Sequence, residues 1–294
     1  MRISTGYQFD AYTGSIRTAQ EAYFKVQKQI SSGKRFESAH EDPLATKLTI
    51  NSRHLKARFD QFEKNLRGAK DYLGNSERGL TEIGDLLSKA NVLAIQGASS
   101  SIDANAAQSL AQQVASLQEK LVRSANMEGS QGQYIFAGHL SDTLPFTALG
   151  GVMSYVGDAN VIRAEVRSGE YMPINLPGVS TVFTDIYDKL ETLKTNIQNQ
   201  NVVAISDESL ADIKSLRDQI TGLRAEVGSR MQTIESLSAE NTRRIDDFSK
   251  EISDHEDVDL AEAFVRYQQS ETAYTAAMQI ASQGMRLSLM DFMR

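Results

Sequence analysis

The sequence contains no cysteine and no tryptophan, and only four of its 294 residues are proline. Without cysteine there are no disulfide bonds, no thiolate nucleophile and no cysteine-based metal or iron–sulfur site. The net charge is -7 and the pI is near 5.3, which argues against a nucleic acid as the main partner. The scarcity of proline leaves little to interrupt long helices.

Long apolar runs are missing as well. The opening MRISTGY has neither an apolar core nor a small-residue cleavage site, so we expect no cleaved secretory signal. No run of about 18 apolar residues occurs, which predicts that no segment spans a membrane. These features alone favour a cytoplasmic protein.

Both ends of the chain instead carry apolar residues at alternating steps of three and four, the period of a coiled-coil seam. A helix with one apolar stripe needs a partner helix, so we expect the ends to pair antiparallel with each other or with copies of themselves. An ordinary intramolecular bundle core also fits this pattern. The predicted assembly interface comprises Phe9, Tyr12, Ile16, Tyr23, Val26, Ile30, Leu260, Phe264, Tyr267, Tyr274, Met278, Met285, Leu289 and Phe292.

A helix stop and a helix start follow the first stripe. Gly33 lies just past the first helical pattern, as glycine commonly does. Asp42 before Pro43 has the arrangement of an N-cap with proline at the first helical position. A near-3.5 spacing then continues to Gly97, which predicts a helix on the order of 80 Å long.

Helical spacing recurs later in the chain, around 110–121, 186–197 and 213–252, with a predicted break at 199–206. Asp259 and Glu262 have the spacing of a capping box that starts the last helix.

The composition changes between residues 129 and 178, where three of the four prolines and several glycines lie. Short β-like runs occur at 134–137, 152–156 and 161–166. We therefore predict a mainly α fold with a small β-rich insertion, in an elongated multi-helix coiled-coil rod whose N- and C-terminal helices pair. The predicted domains are terminal coiled-coil helices at 1–42 and 256–294 forming the axial assembly region, a rod of long helices at 43–132 and 181–255, and a β-rich outer domain at 133–180.

No catalytic, cofactor or metal site is predicted. The Gly33-Lys34-Arg35 cluster lacks the spacing of a phosphate-binding loop, and a helix stop with solvated charges explains it. The four histidines lack ligand spacing. The acidic run 254–259 is interpreted as a solvated hinge with an N-cap, since it lacks the ligand pattern of a calcium loop. An enzyme within the insertion stays open as an alternative.

Residues 29–45, QISSGKRFESAHEDPLA, resemble the N-terminal signature of the bacterial flagellin superfamily, in which Ser-Gly-Lys-Arg leads to an acidic pair and proline. The opening MRIST, the segment GQYIFAGHLSDTLPF at 132–146 and the C-terminal helical pattern also resemble this family. Glu41 stands where the family usually has aspartate. The chain ends DFMR, whereas filament flagellins commonly end Leu-Leu-Arg.

The resemblance implies a structural subunit that joins the hook of the bacterial flagellum to its filament. It implies an extracellular location reached by type III export without a cleaved signal, in place of the cytoplasmic one. The implied partners are copies of the chain in a ring or tube, hook-associated protein 1, flagellin and a cytosolic export chaperone. A filament flagellin with a reduced outer domain and an intracellular coiled-coil adaptor are the alternatives.

Overall fold

The computed structural model describes residues 5–99, 102–129 and 132–292, without the side chains of residues 5, 6, 8 and 285–292. Its helices are α1 (Thr5–Ser32), α2 (Pro43–Gly97), α3 (Ala104–Ala125), α4 (Val179–Gln198), α5 (Val202–Ala204), α6 (Leu210–Glu256) and α7 (Leu260–Phe292). A π-helical segment, Ile205–Ser209, joins α5 to α6. The strands are β1 (Phe146–Leu149), β2 (Val152–Tyr155), β3 (Arg163–Arg167) and β4 (Glu170–Pro173). The predicted fold class, mainly α with a small β-rich insertion, is confirmed.

The helix boundaries follow the predicted local signals. Gly33 has φ +71°, a conformation that glycine adopts without strain, and it lies directly after α1. The Asp42 carboxylate accepts a hydrogen bond from the Ala45 amide at 3.0 Å, so it caps α2 at Pro43. The same helix ends at Gly97, as the spacing predicts.

The chain divides into two compact units. The terminal unit comprises residues up to 58 and from 244, and the central unit comprises residues 59–243. The boundary between the units falls inside α2 and inside α6.

The central unit contains an extended apolar core contributed by α2, α3, α4 and α6. On α2 the buried residues keep steps of three and four over about nine turns, because one helix face stays against its neighbours. Phe183 of α4 lies 5.1 Å from the Phe136 ring and 5.7 Å from the Phe146 ring, measured between centroids. The α2 residues on this face are Phe62, Leu66, Ala69, Leu73, Ser76, Leu80, Ile83, Leu87, Ala90 and Ala94.

The β-rich insertion forms two antiparallel hairpins, β1–β2 and β3–β4. Gly150 and Gly151 connect β1 to β2, and both have positive φ, as tight hairpin turns require. The prediction of a strand at 134–137 is wrong: apart from an isolated bridge between Tyr134 and Glu128, these residues run through turns. Gly138 at φ +68° bends the chain there, and the Tyr72 hydroxyl donates to the Ile135 carbonyl. The prediction missed β1 and β4.

The predicted break at 199–206 is shorter in the structure and covers residues 199–201. Asn201 caps the restarting helix by accepting the Ala204 amide at 3.2 Å. The π segment then places Ile205 and Ser209 in the buried interior. The sequence analysis placed the restart of the helix too late, because the polar residues Ser206, Asp207 and Glu208 face outward and interrupt the apolar spacing.

Candidate assembly surface of the terminal helices

Three tyrosines join α1 to α7. The hydroxyl oxygens of Tyr23 and Tyr267 lie 2.8 Å apart, and their ring centroids are separated by 5.2 Å. Tyr274, two turns further along α7, stacks on Tyr23 at 5.9 Å with an interplanar angle of 15°. The hydrogen bond with Tyr267 is the main cause that raises the pKa of Tyr23, and partial burial adds to it.

The two helices run antiparallel. Near the end of α7 a Cβ atom on Gly284 would lie 2.7 Å from the ring of Tyr12, so the early part of α1 lies against the late part of α7. At the other end the Val258 amide, just before α7, donates to the carbonyl of Gly33, just after α1, at 2.9 Å. The predicted pairing of the N- and C-terminal helices is confirmed.

Large side chains on α1 pack against a face of α7 that is built mainly from small residues. The α1 face is half-buried and comprises Tyr12, Ile16, Ala19, Tyr23, Val26 and Ile30. The buried or half-buried positions of α7 recur at steps of four and three and comprise Ala263, Tyr267, Ser270, Tyr274, Ala277, Ala281 and Gly284. Small residues allow the helices to approach closely, while the tyrosines fill the remaining space.

The predicted interface residues divide into two sets. Seven lie in the α1–α7 seam: Tyr12, Ile16, Tyr23, Val26, Ile30, Tyr267 and Tyr274. Four are exposed: Phe9, Leu260, Phe264 and Met278. The side chains of Met285, Leu289 and Phe292 lie outside the described residues. The apolar stripe predicted on α7 thus coincides only in part with the face that contacts α1: Tyr267 and Tyr274 belong to both, and small residues such as Ala263 and Gly284 supply the remaining close packing.

An apolar surface remains uncovered on the terminal helices. It consists of exposed side chains on more than one side of α1 and α7, which we together call the outer apolar face: Phe9, Phe24, Leu260, Phe264, Val265, Met278 and Ile280, each 43% to 58% exposed. Sequence analysis missed Phe24, Val265 and Ile280 because they lie off the coiled-coil stripe. Their signal was the presence of large apolar residues on more than one helix face, which is typical of a helix with several neighbours.

The links between the terminal helices and the long helices form a polar joint. Lys34 and Asp257 make an antiparallel bridge, and the Arg35 amide donates to the Glu256 carbonyl at 2.7 Å. The Lys34 ammonium and the Arg53 guanidinium both contact the buried carboxylate of Glu256. The interpretations of 254–259 as a solvated hinge and of Gly33-Lys34-Arg35 as solvated charges therefore need correction: Glu256 and Lys34 are ion-paired within the fold.

Further ion pairs support the link between α1 and α2. The Glu41 carboxylate accepts the amides of Glu37 and Ser38, and these hydrogen bonds lower its pKa, the Glu37 amide contributing most. Lys28 lies 2.7 Å from Glu37, a contact that raises the pKa of the lysine. These contacts give the segment between α1 and α2 a defined conformation.

Within the described residues no helix is both long and apolar enough to cross a membrane, and no group of His, Asp or Glu side chains has the arrangement of a metal site. The distinctive feature of the terminal unit is thus a paired set of helices with uncovered apolar side chains. Such a surface suits association with other protein chains.

Comparison with known families shows which proteins the chain resembles. Residues 3–141 match the family described as the bacterial flagellin N-terminal helical region. This match covers slightly less than half of the chain and, with the paired terminal helices, shows that the chain is similar to flagellin-like structural proteins, which are not enzymes. The resemblance predicted from the signature at 29–45 is confirmed.

The particular flagellar protein that the chain resembles is hook-associated protein 3. This chain is 24% identical to flagellar hook-associated protein 3 of Escherichia coli K12, and the alignment covers 98% of each chain. A solved structure from Vibrio parahaemolyticus, described as a flagellar hook-associated protein, has a TM-score of 0.68 at 19% identity and covers 74% of this chain and 100% of its own. The crystal structure of FlgL from Bacillus cereus has a TM-score of 0.59 at 24% identity, and the match covers 68% of this chain and 97% of that one.

Proposed function

We propose that the chain is the structural subunit that joins the flagellar hook to the filament, and that it assembles through its terminal helices. The observation that carries this proposal is the outer apolar face, in a chain similar along its length to hook-associated protein 3. In a tubular assembly each copy would cover the outer apolar face of its neighbours, and the terminal helices would form the inner layer.

The energetic gain from covering this face is substantial. Complete burial of a Val, Leu, Ile, Phe or Met side chain contributes about 1.5–3 kcal/mol, and roughly half of that remains available on a half-exposed residue. Seven such residues per subunit therefore contribute several kcal/mol to association, before the cost of ordering and of lost motion is subtracted.

Assembly would also complete the order of the terminal helices. The buried apolar residues of the terminal unit are few, whereas the central unit has an extended core. Within the described residues they are Phe36, Ala45, Val258, Ala263 and Ala281. We propose that the pairing of the terminal helices is only marginally stable in the free monomer and is completed when neighbours supply further contacts, which suppresses premature polymerisation. Limited proteolysis tests this step: ends as resistant as residues 59–243 contradict it.

The proposed partners are copies of the chain in a ring or tube, hook-associated protein 1 on the hook side and flagellin on the filament side. A cytosolic export chaperone would bind the C-terminal helix before secretion. The proposed location is the extracellular flagellum, reached through the type III export apparatus without cleavage of a signal. Exposed Met278 gives an adaptable contact where one subunit meets different neighbours.

Electron microscopy of a deletion strain tests the junction role. We expect hooks to persist, filaments to be lost from the cell, and flagellin to accumulate in the medium. Complementation with the wild-type chain should restore attached filaments. If deletion leaves filaments attached, the junction function is wrong; if the purified chain itself grows long filaments under flagellin-polymerising conditions, the filament-subunit alternative is correct.

A further inference from the structure

Glu256, the last residue of α6, is a buried carboxylate that contacts two cations from two other segments. Its side chain is 8% exposed. One carboxylate oxygen lies 2.5 Å from the ammonium of Lys34, which follows α1, and the other accepts a hydrogen bond from the guanidinium of Arg53 on α2. The contact therefore links three parts of the chain: the segment that follows α1, helix α2 and the end of α6.

The backbone at this point connects the same segments. The Arg35 amide donates to the Glu256 carbonyl at 2.7 Å, and the Val258 amide donates to the Gly33 carbonyl at 2.9 Å. These two hydrogen bonds lie where the chain leaves α1 and where it enters α7. The orientation of both terminal helices at this point thus depends on whether these two backbone hydrogen bonds, which we call the bridge, stay formed.

Other contacts at the joint give less support. In Lys28–Glu37 and Arg35–Asp42 neither side chain is buried, and ion pairs that water can reach contribute little to stability. The buried apolar side chains nearest in sequence to the bridge are Phe36 and Val258. The carboxylate with its two cations is consequently the most deeply buried ion-paired group of this joint.

The charges of the contact are unequally buried. The side chains of Lys34 and Arg53 are 44% and 53% exposed, whereas that of Glu256 is nearly inaccessible. Loss of the carboxylate leaves two cations that water can solvate. Loss of both cations instead leaves a buried negative charge without compensation, which is the more costly change.

We propose that Glu256, Lys34 and Arg53 form an electrostatic clasp that positions the paired terminal helices on the first turns of α2, and so sets the placement of the outer apolar face for assembly. The effect on assembly rests on the proposed function, whereas the clasp itself does not.

Hydrogen exchange of the Arg35 and Val258 amides tests the clasp directly. In the full-length Lys34→Gln/Arg53→Gln variant we expect both amides to exchange at least about tenfold faster, because the uncompensated carboxylate opens the bridge. Adding Glu256→Gln should reverse most of this increase, since it removes the buried charge. A role for the cations in generic folding alone would give no such rescue.

The matched control is Arg17→Gln/Arg266→Gln, which removes two cations from exposed pairs on α1 and α7. We expect its exchange at the bridge to equal that of the wild type. Unchanged exchange in Lys34→Gln/Arg53→Gln, or a triple variant no slower than this double variant, overturns the clasp. If the double variant cannot be purified, Arg53→Gln is compared with Arg53→Gln/Glu256→Gln. We then expect faster exchange of the two amides in the first variant and a slower rate in the second.

Filament attachment in complemented cells forms a separate arm. We expect fewer attached filaments with Lys34→Gln/Arg53→Gln and recovery with the triple variant, at equal secretion and with unchanged melting of the central unit. If exchange follows the expectation but attachment does not change, the clasp stands and its role in positioning the assembly surface is wrong.

Discussion

Tyr23 and Tyr267 are 244 residues apart in the sequence, and their hydroxyl oxygens lie 2.8 Å apart in the structure. This hydrogen bond joins a point about two thirds of the way along α1 to the first third of α7. Because it favours the protonated form of Tyr23, it raises the pKa of that phenol above its ordinary value.

The raised pKa predicts a pH dependence of helix pairing. A phenol whose pKa is higher in the folded state contributes its full stabilisation below the unfolded pKa of about 10 and loses it as the pH rises through the folded pKa. We expect the pairing of α1 with α7 to weaken as the pH rises through the folded-state pKa of Tyr23. Absorbance titration of tyrosinate, as the difference between the wild type and Tyr23→Phe, measures the pKa.

Tyr267→Phe should move the titration of Tyr23 to lower pH, because it removes the largest cause of the shift. The control is Tyr171→Phe, which alters an exposed tyrosine of the central unit. Superimposable Tyr23 titrations in the wild type and Tyr267→Phe would show that the hydroxyl contact does not exist in solution.

Gly284→Ala should weaken the pairing of the terminal helices. The added methyl group would lie 2.7 Å from the Tyr12 ring, which then has to move. Gly14→Ala is the matched control on α1, where nothing lies within 4 Å of the added atom. That variant should gain about 1 kcal/mol of helix propensity. Circular dichroism during thermal unfolding measures the stability of both variants. Equal stabilisation by the two substitutions would contradict the close packing of Gly284 against Tyr12.

Gly138→Ala should destabilise the central unit. Gly138 has φ +68°, and an added methyl group would overlap the side chain and the backbone carbonyl of Asp158. Gly169→Ala has the same backbone strain, with φ +75° and open space around it, so it should cost only roughly 1–2 kcal/mol. The difference between the two free energies of unfolding in urea isolates the overlap. A difference near zero would mean that the turn relaxes without cost.

Two phenylalanines should separate assembly from folding. Phe264 is 55% exposed on α7, so Phe264→Ser should leave the unfolding of the monomer unchanged and reduce filament attachment. Phe183 is inaccessible in the central core, and Phe183→Ala should cost about 3–5 kcal/mol of unfolding free energy. Attachment by Phe264→Ser at the wild-type level would remove Phe264 from the interface.

Much of the helical architecture could be predicted because its signals are local. A glycine after α1, the Asp42–Pro43 pair and sustained apolar spacing act within a few residues of the boundaries they define. The strands were less predictable. Residues 134–137 have strand-like composition, but tertiary contacts and Gly138 hold them in turns, whereas β1 and β4 contain few β-branched residues.

The candidate site was only partly predictable for a different reason. Apolar periodicity identifies residues that need covering, but it does not distinguish a contact within the chain from one with a neighbour. It also overlooks faces built from small residues, such as Ala263 and Gly284 on α7. Glu256 carries no sequence signal of burial, because its two cations come from residues 203 and 222 positions away.

The π-helical segment at 205–209 has a consequence for the phase of α6. In an α-helix, a step of four residues overshoots one full turn by about 40°, so Ile205, Ser209 and Ile213 would drift around the axis. The wider π turn removes most of this drift, and all three side chains are buried. One surplus residue is thus absorbed locally, and deletion of a single outward-facing residue, such as Asp207, should yield an uninterrupted α-helix with an unaltered downstream phase.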